Sequence, residues 1–306
     1  MNLILSTRQS PLALWQAQEA QRLIEDKHRD VDVSLLPVTS GGDKDLTTAL
    51  SRFGRVGIFT AEVDSALLEN RAHLGVHSLK DLTTKIEDGL CLAGVLPSGP
   101  TEDVLVTVDG RMLDELPAGS KVATSSQRRK AQLLRLRPDL IVVEIRGNVQ
   151  TRLRQLEEGH ADGLLMARAG LMRLGLGQRI SEVFGTDKFL PAAGQGIVGL
   201  TARTDNPKAK ALVQNLVNDG SDLRAEAERT FVRALDAGCT TPLGVYCTNE
   251  AGRLHLRAQL LSLDGTRELA GEMDGNAERP WEVGRDLAKE LLEQGAAEMV
   301  AEARGD

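Results

Sequence analysis

The chain has 306 residues, 41% hydrophobic, 26% charged and 3% aromatic, with a formal net charge of −7. That length suggests about two domains of ordinary globular composition, while the acidic balance and the scarcity of rings argue against a dedicated nucleic-acid binder. No apolar run reaches a membrane span, the opening MNLILSTRQS lacks a signal-peptide pattern, and three cysteines without CxxC spacing (Cys91, Cys239, Cys247) argue against a disulfide framework or zinc site, so free thiols in the cytoplasm are expected.

In chain order, NLILS reads as a strand. PLALWQAQEAQRLIEDK follows as a helix, with Ser10 at the N-cap and Pro11 at the first helical position. VDVSLLPVT, LGVHS, DVLVTV, KVATSS, LIVVEIRG and GLLMAR continue as strands between helical patterns, which predicts α/β units around mostly parallel sheets. Two Gly/Pro-rich stretches, LPSGPTED (96–103) and LPAAGQG (190–196), read as crossings between two α/β lobes with a cleft between them. IVGLTAR then returns to the first sheet, and NDGSDL (218–223) opens a different pattern. DLRAEAERTFVRALDA is a helix, VYCT, RLHLRAQLLS and RELAGEM form an antiparallel meander with turns at NEAG and DG, and WEVGRDLAKELLEQGAAEMVAEA is one closing helix. The expected domains are 1–96 with 197–217, 101–191, and an α+β domain at 222–306.

The cations fall at the strand-to-helix junctions. In open α/β sheets ligands bind beyond the carboxyl ends of strands, where helix N-termini attract anions. LILSTRQSP supplies Arg8 and Ser10, and GVHSLKD supplies Ser78, Lys80 and Asp81. VATSSQRRK supplies Thr124, Ser125, Ser126, Arg128 and Arg129; VEIRGNVQTR supplies Arg146 and Arg152; LMARAGLMR supplies Arg168 and Arg173. Arginine recognises carboxylate or phosphate bidentately. Five such junctions in an acidic chain predict a small polyanionic ligand, and the absence of P-loop and GxGxxG patterns disfavours a nucleotide. Asp81 is the exception: it either caps its turn or aims a fixed negative charge at a cation that develops during reaction. Ser10 and Gln16 are candidate hydrogen-bonding groups on the first helix, and Lys80 is a candidate carboxylate binder. Cys91 and Cys247 lie in strand-like apolar settings and read as core packing, His77 and His255 read as structural or exposed, and no metal site is expected.

The segments STRQSPLALWQAQ, VHSLKDL, ATSSQRRKAQL, IRGNVQTRL, AGLMRLGL, LPAAGQGIVGL and AGCTTPLG resemble, in order, those of the porphobilinogen deaminases, or hydroxymethylbilane synthases. The resemblance implies two type II periplasmic-binding-protein-like α/β domains with a central cleft, plus a C-terminal α+β domain with a three-stranded antiparallel sheet. It implies a covalent dipyrromethane on Cys239, to which four porphobilinogens are added head to tail with loss of ammonia. Hydrolysis then releases hydroxymethylbilane for haem and other tetrapyrroles. By motif, Asp81 is the catalytic carboxylate. Lys80, Ser78, Thr124, Ser126, Arg128, Arg129, Arg146 and Arg152 are expected to hold the cofactor. Arg8, Ser10, Gln16, Arg146, Arg152 and Arg173 are expected to hold the substrate. Gly238 is expected to allow close approach of the cysteine loop and Pro242 to limit its freedom. A monomer with no nucleic-acid or membrane partner is expected.

The chain departs from the family in its glycine-rich loop, where Val56 stands in place of a lysine, and in SGPTEDV, which lacks a basic residue. The alternative reading is a non-enzymatic or degenerate polycarboxylate-binding homologue.

Overall fold

The computed structural model describes residues 1–39, 60–214, 216, 219–238 and 240–305. The chain packs as two compact units, one of residues 1–99 with 196–222, the other of residues 100–195 with 223–306. The elements begin with β1 (Asn2–Arg8), α1 (Pro11–Lys27), β2 (Asp32–Val38), α2 (Ala61–Leu68), β3 (Leu74–Ser78) and β4 (Leu90–Val95). They continue with β5 (Asp103–Thr107), β6 (Lys121–Ala123), α3 (Gln127–Leu136), β7 (Ile141–Val143), α4 (Val149–Glu157), β8 (Gly163–Ala167), α5 (Arg168–Arg173) and β9 (Glu182–Val183). The chain closes with β10 (Val198–Arg203), α6 (Pro207–Val213), α7 (Ser221–Ala234), β11 (Leu243–Glu250), β12 (Arg253–Leu261), β13 (Glu268–Asn276), α8 (Pro280–Glu293) and α9 (Ala296–Arg304).

The first unit holds a five-stranded sheet in the order β2-β1-β3-β10-β4. β1 runs parallel to β2 and β3, and β10 runs antiparallel to β3 and β4. The second unit repeats the scheme as β7-β6-β8-β5-β9, with β5 as its reversed strand. Four of the five strands in each sheet run the same way, so the sheets are mostly parallel, as the sequence leads one to expect. Each sheet carries one reversed strand next to its edge. An apolar run such as Val104–Val106, fully buried here, signals burial on both faces and not direction.

α1 follows β1 because Ser10 caps it, accepting from the Ala13 amide at 3.3 Å, and Pro11 occupies its first turn. Ala13, Ala17, Ala20 and Ile24 recur at helical spacing and are buried, so α1 lies on the sheet through a small-residue stripe. In both sheets the strand order turns beside the first of the parallel strands, between β1 and β3 and between β6 and β8. The carboxyl ends at such a point leave a crevice where ligands bind.

Elsewhere in the second unit, β11, β12 and β13 form an antiparallel sheet whose core includes Phe231, Val245, Leu256 and Leu287. Its β11–β12 turn uses Ala251 and Gly252, both at positive φ, which suits the right-handed twist of a tight hairpin. The closing helix of the sequence reading is two helices. Gly295 takes φ +98° between α8 and α9, outside the helical region. Of β4 only the strand-like setting of Cys91 was visible in the sequence, and the two-residue β9 had no counterpart there.

Candidate functional site

β1 ends at Arg8 and β3 at Ser78, side by side where the first sheet's order turns. Arg8, Ser10, Gln16, Thr60, Ser78 and Asp81 line one pocket there. The capping bond of Ser10 uses an oxygen lone pair, so its O–H remains a donor. Gln16 is almost fully buried. Its amide donates to the Ser78 hydroxyl at 2.8 Å, and that hydroxyl approaches the Gln16 carbonyl oxygen at 3.3 Å. This exchange fixes the end of β3 against α1. The chain then makes a 3-10 turn, Leu79–Asp81, whose Leu79 is buried and whose Asp81 is exposed. The Leu79 amide donates to the Ile197 carbonyl at 3.0 Å, anchoring the turn to the residues that lead into β10.

Behind the pocket, His77 is buried and shares a hydrogen bond with the Thr201 hydroxyl at 3.0 Å. Its Nε2 lies 3.8 Å from Asp64 Oδ1. Burial pushes the Asp64 carboxyl up to about 6, against a hydrogen bond from Thr60 that lowers it.

In the second sheet the matching ends are Ala123 and Ala167. The Thr124 hydroxyl accepts from the Ser126 amide at 3.2 Å, and Ser126 caps α3 by accepting from the Arg129 amide at 3.4 Å. Arg128 and Arg129 turn inward. Arg128 donates to Asp103 Oδ2 at 2.5 Å and to the Leu190 carbonyl at 2.6 Å. Arg129 donates to Asp103 Oδ1 at 2.9 Å, and Gln195 donates to the same oxygen at 3.0 Å. The side-chain exposures are 5%, 7% and 0% for Arg128, Arg129 and Asp103. Both arginines thus meet a carboxylate that the sequence reading did not single out. Two guanidiniums around one carboxylate still leave a surplus positive charge, and Arg128 Nε has no hydrogen-bond acceptor among the described residues. Burial and the neighbouring Arg129 draw the Arg128 guanidinium down, against the pull of Asp103.

The other cations divide. Arg168 pairs with Glu102 at 2.8 Å and so faces a carboxylate within its own unit. Arg146 and Arg152 flank a turn in which Gly147 takes φ +106° and Asn148 caps α4, accepting from the Thr151 amide at 2.9 Å. Arg152 Nε donates to the Gly147 carbonyl at 2.8 Å, and Gln155 donates to the Arg146 carbonyl at 3.3 Å. Arg146, Arg152 and Arg173 are half-buried, as are Lys80 and Arg8.

Cys239 and Val56 lie outside the described residues. Beside Cys239, the Gly238 amide donates to the Thr241 hydroxyl at 3.2 Å, and the Thr241 amide to the Gly238 carbonyl at 3.1 Å. Among the described residues nothing lies within 4 Å of a Cβ built on Gly238. The tight glycine is Gly244, where a Cβ would sit 2.6 Å from Leu190 Cβ. The AAGQG segment is held by a fully buried carboxylate, Glu228, which accepts from the Gly194 amide at 2.6 Å, the Cys247 amide at 3.0 Å and Arg224 at 2.9 Å. Arg224 also donates to the Gln195 carbonyl. The sequence reading missed this pair, although its i, i+4 spacing on one helix was visible. Cys247 is inert as a thiol: burial first, then Glu228, pushes it up to about 12.

Residues 3–211 match the family described as porphobilinogen deaminase, dipyromethane cofactor binding domain, and residues 223–293 match porphobilinogen deaminase, C-terminal domain. The chain is 40% identical over 303 residues to a porphobilinogen deaminase of Syntrophomonas wolfei subsp. wolfei, covering 99% of each chain. Among solved structures it is similar to the methionine-binding protein MetQ, at 16% identity and a TM-score of 0.46, covering 74% of this chain and 94% of that one. It is also similar to a TRAP periplasmic solute-binding protein from Desulfovibrio salexigens, at 14% identity and a TM-score of 0.45, covering 76% and 77%.

Proposed function

The chain belongs to the porphobilinogen deaminase family, and we propose that it acts as a hydroxymethylbilane synthase through the pocket around Asp81 and the cationic cluster of the second sheet. The observation that carries this reading is Asp81 itself. It is an exposed carboxylate that shares a pocket with Arg8, Ser10 and Ser78 at a point where strand order turns.

Porphobilinogen is a pyrrole with an acetate arm, a propionate arm and an aminomethyl group. Loss of ammonia leaves positive charge spread over the ring and its exocyclic methylene. Asp81 accepts the pyrrole N–H and faces that charge, so its stabilisation grows as the charge develops. Arg8 takes a carboxylate arm, and the Ser10 O–H is available as a donor. Gln16, bonded to Ser78, acts by positioning it. Arg146, Arg152 and Arg173 serve the acidic arms of the lengthening product.

The residues of the second unit fit a dipyrromethane cofactor. Its acidic arms suit a cluster that holds one positive charge in surplus and an unfilled Arg128 Nε. Arg128, Arg129, Arg146 and Arg152 would hold the arms, with Thr124 and Ser126 as hydroxyl donors, Lys80 and Ser78 as further contacts, and the Cys239 sulfur as the attachment point. When bound, the cofactor supplies the electron-rich pyrrole carbon from which the product grows. We read the enzyme as a cytoplasmic monomer without nucleic-acid partners. No helix among the described residues is long and apolar enough to cross a membrane.

Intact mass of the purified protein beside Cys239→Ser tests the reading. The wild type alone should carry two linked pyrrole units. An unmodified wild type that stays unmodified with porphobilinogen would break it.

A further inference from the structure

Behind the pocket that holds Asp81, beside its lining residue His77, lies a second acid that the mechanism does not use. Asp64 sits on α2, its residue 8% exposed, and its Oδ1 has no hydrogen-bond donor among the described residues. His77 Nε2 lies 3.8 Å from that oxygen, and the same nitrogen also meets the Thr201 hydroxyl on β10. Gly75 makes the arrangement possible. A Cβ there would lie 2.5 Å from Thr201 Oγ1 and 2.9 Å from His77 Nε2, so a larger residue would displace the ring or the hydroxyl.

His77 directly precedes Ser78 and the turn that ends in Asp81, and both His77 and Thr60 line the same pocket as Asp81. The charged and titratable groups around the pair come from several elements. α2 gives Glu62 and Asp64, the β3–β4 connection gives Glu87, β1 gives Arg8, and the following turn gives Asp81. β10 contributes the neutral Thr201 and α1 the neutral Gln16.

We infer that Asp64 and His77 form a buried positioning pair whose proton content sets the charge of the wall facing the Asp81 pocket, and so governs the rate of ammonia loss. The proposal rests on the synthase reading. With Asp64 ionised, the wall supports the positive charge that develops on the substrate. When a proton is added to the carboxylate, one negative charge leaves the wall and no other bond changes. Burying an acid with an unfilled oxygen opposes folding, and such costs concentrate at functional sites.

The test compares the pH dependence of kcat for the holoenzyme, Asp64→Asn and His77→Gln, with the Asp64 carboxyl followed by 13C NMR. In the wild type the acid limb of kcat should coincide with the Asp64 titration. Asp64→Asn should lose that limb and run slower on the alkaline plateau by about 3- to 10-fold, the size of one buried charge acting across a pocket at an effective dielectric near 20. His77→Gln should move the limb and the carboxyl titration to higher pH together. An acid limb unchanged in both variants overturns the inference. Failure of the wild type to turn over porphobilinogen would overturn the synthase reading instead. Should Asp64→Asn not fold, His77→Gln alone decides.

Discussion

Replacing Asp103 by Asn should destabilise the second unit far more than an ordinary polar substitution. Asp103 is 0% exposed and binds two guanidiniums that are themselves 5% and 7% exposed. An amide oxygen can still accept one of these bonds, and Gln195 can turn to another partner. The charge cannot be replaced. Two buried cations are then left without that anion, in the first turn of α3, where the helix end is already positive. Removing one partner of a buried pair costs about 3–5 kcal/mol, and the second arginine places Asp103→Asn in the upper half of that range. The two tryptophans make the measurement direct, because Trp15 lies on α1 in the first unit and Trp281 on α8 in the second. In a Trp15→Phe background, urea unfolding followed by fluorescence reads the second unit alone. With a slope of about 2 kcal/mol per molar urea, the midpoint should fall by about 2–2.5 M. A loss below about 1 kcal/mol would refute the argument, since it would mean that the cluster is hydrated and the pair worth no more than a surface contact.

Asp64→Asn has the opposite sign. Burial holds its carboxyl at about 6 when folded against an ordinary 3.8, so ionisation opposes folding above the unfolded value. Below pH 4 both states hold the proton and the substitution is neutral. Between pH 4 and 6 the unfolded state ionises first and native stability falls. Above pH 6 the full difference is present, up to about 3 kcal/mol at 1.36 kcal/mol per pH unit, so Asp64→Asn should raise Tm at pH 8 and not at pH 4. An equal gain at both pH values would contradict this. Gly147→Ala should cost about 1–3 kcal/mol in urea unfolding. The new Cβ would be forced to φ +106° and to 2.6 Å from Thr151, and KM should rise as Arg146 and Arg152 shift. Cys247 should resist iodoacetamide at pH 8 until the protein unfolds, because its thiol lies at about 12. Labelling of the native protein at Cys247, read by peptide mass, would count against its burial.

Local features were legible in the sequence and distant pairings were not. Ser10, Pro11 and Ser126 announce helix starts because capping involves residues three apart. The cations at strand ends are visible for the same reason. What the sequence does not display is that Asp103 and Glu102, opening β5, lie against Arg128, Arg129 and Arg168 from other elements. Strand β5 runs between β8 and β9, and neither neighbour can be inferred from spacing. Strand β4, LCLAGV, is short and contains a glycine pressed against the Val213 carbonyl, so propensity understates it. Helices α8 and α9 read as one because their apolar period continues through Gln294 and Gly295 while the backbone does not.

The two sheets share a strand order and differ in what stands at its turning point. In the first, acids gather: Asp81 in the pocket and Asp64 behind it, with Arg8 at the edge. In the second, guanidiniums gather around a single buried acid. A reaction that expels ammonia from a polycarboxylate needs both environments, one that favours a developing cation and one that holds fixed anions. Cations crowded around the ring would oppose the charge that appears there, so the first pocket sets Arg8 at its edge and the second unit gathers further guanidiniums. Two sheets of one strand order with opposite charge at the turning point divide the two tasks. On this argument, exchanging the signs should be more damaging than deleting them. Asp81→Lys should abolish turnover even where Asp81→Asn leaves a residue of it, and Arg152→Glu should weaken substrate binding more than Arg152→Ala. Single-turnover ammonia release for the first pair, and KM for the second, would decide whether the division is electrostatic or merely steric.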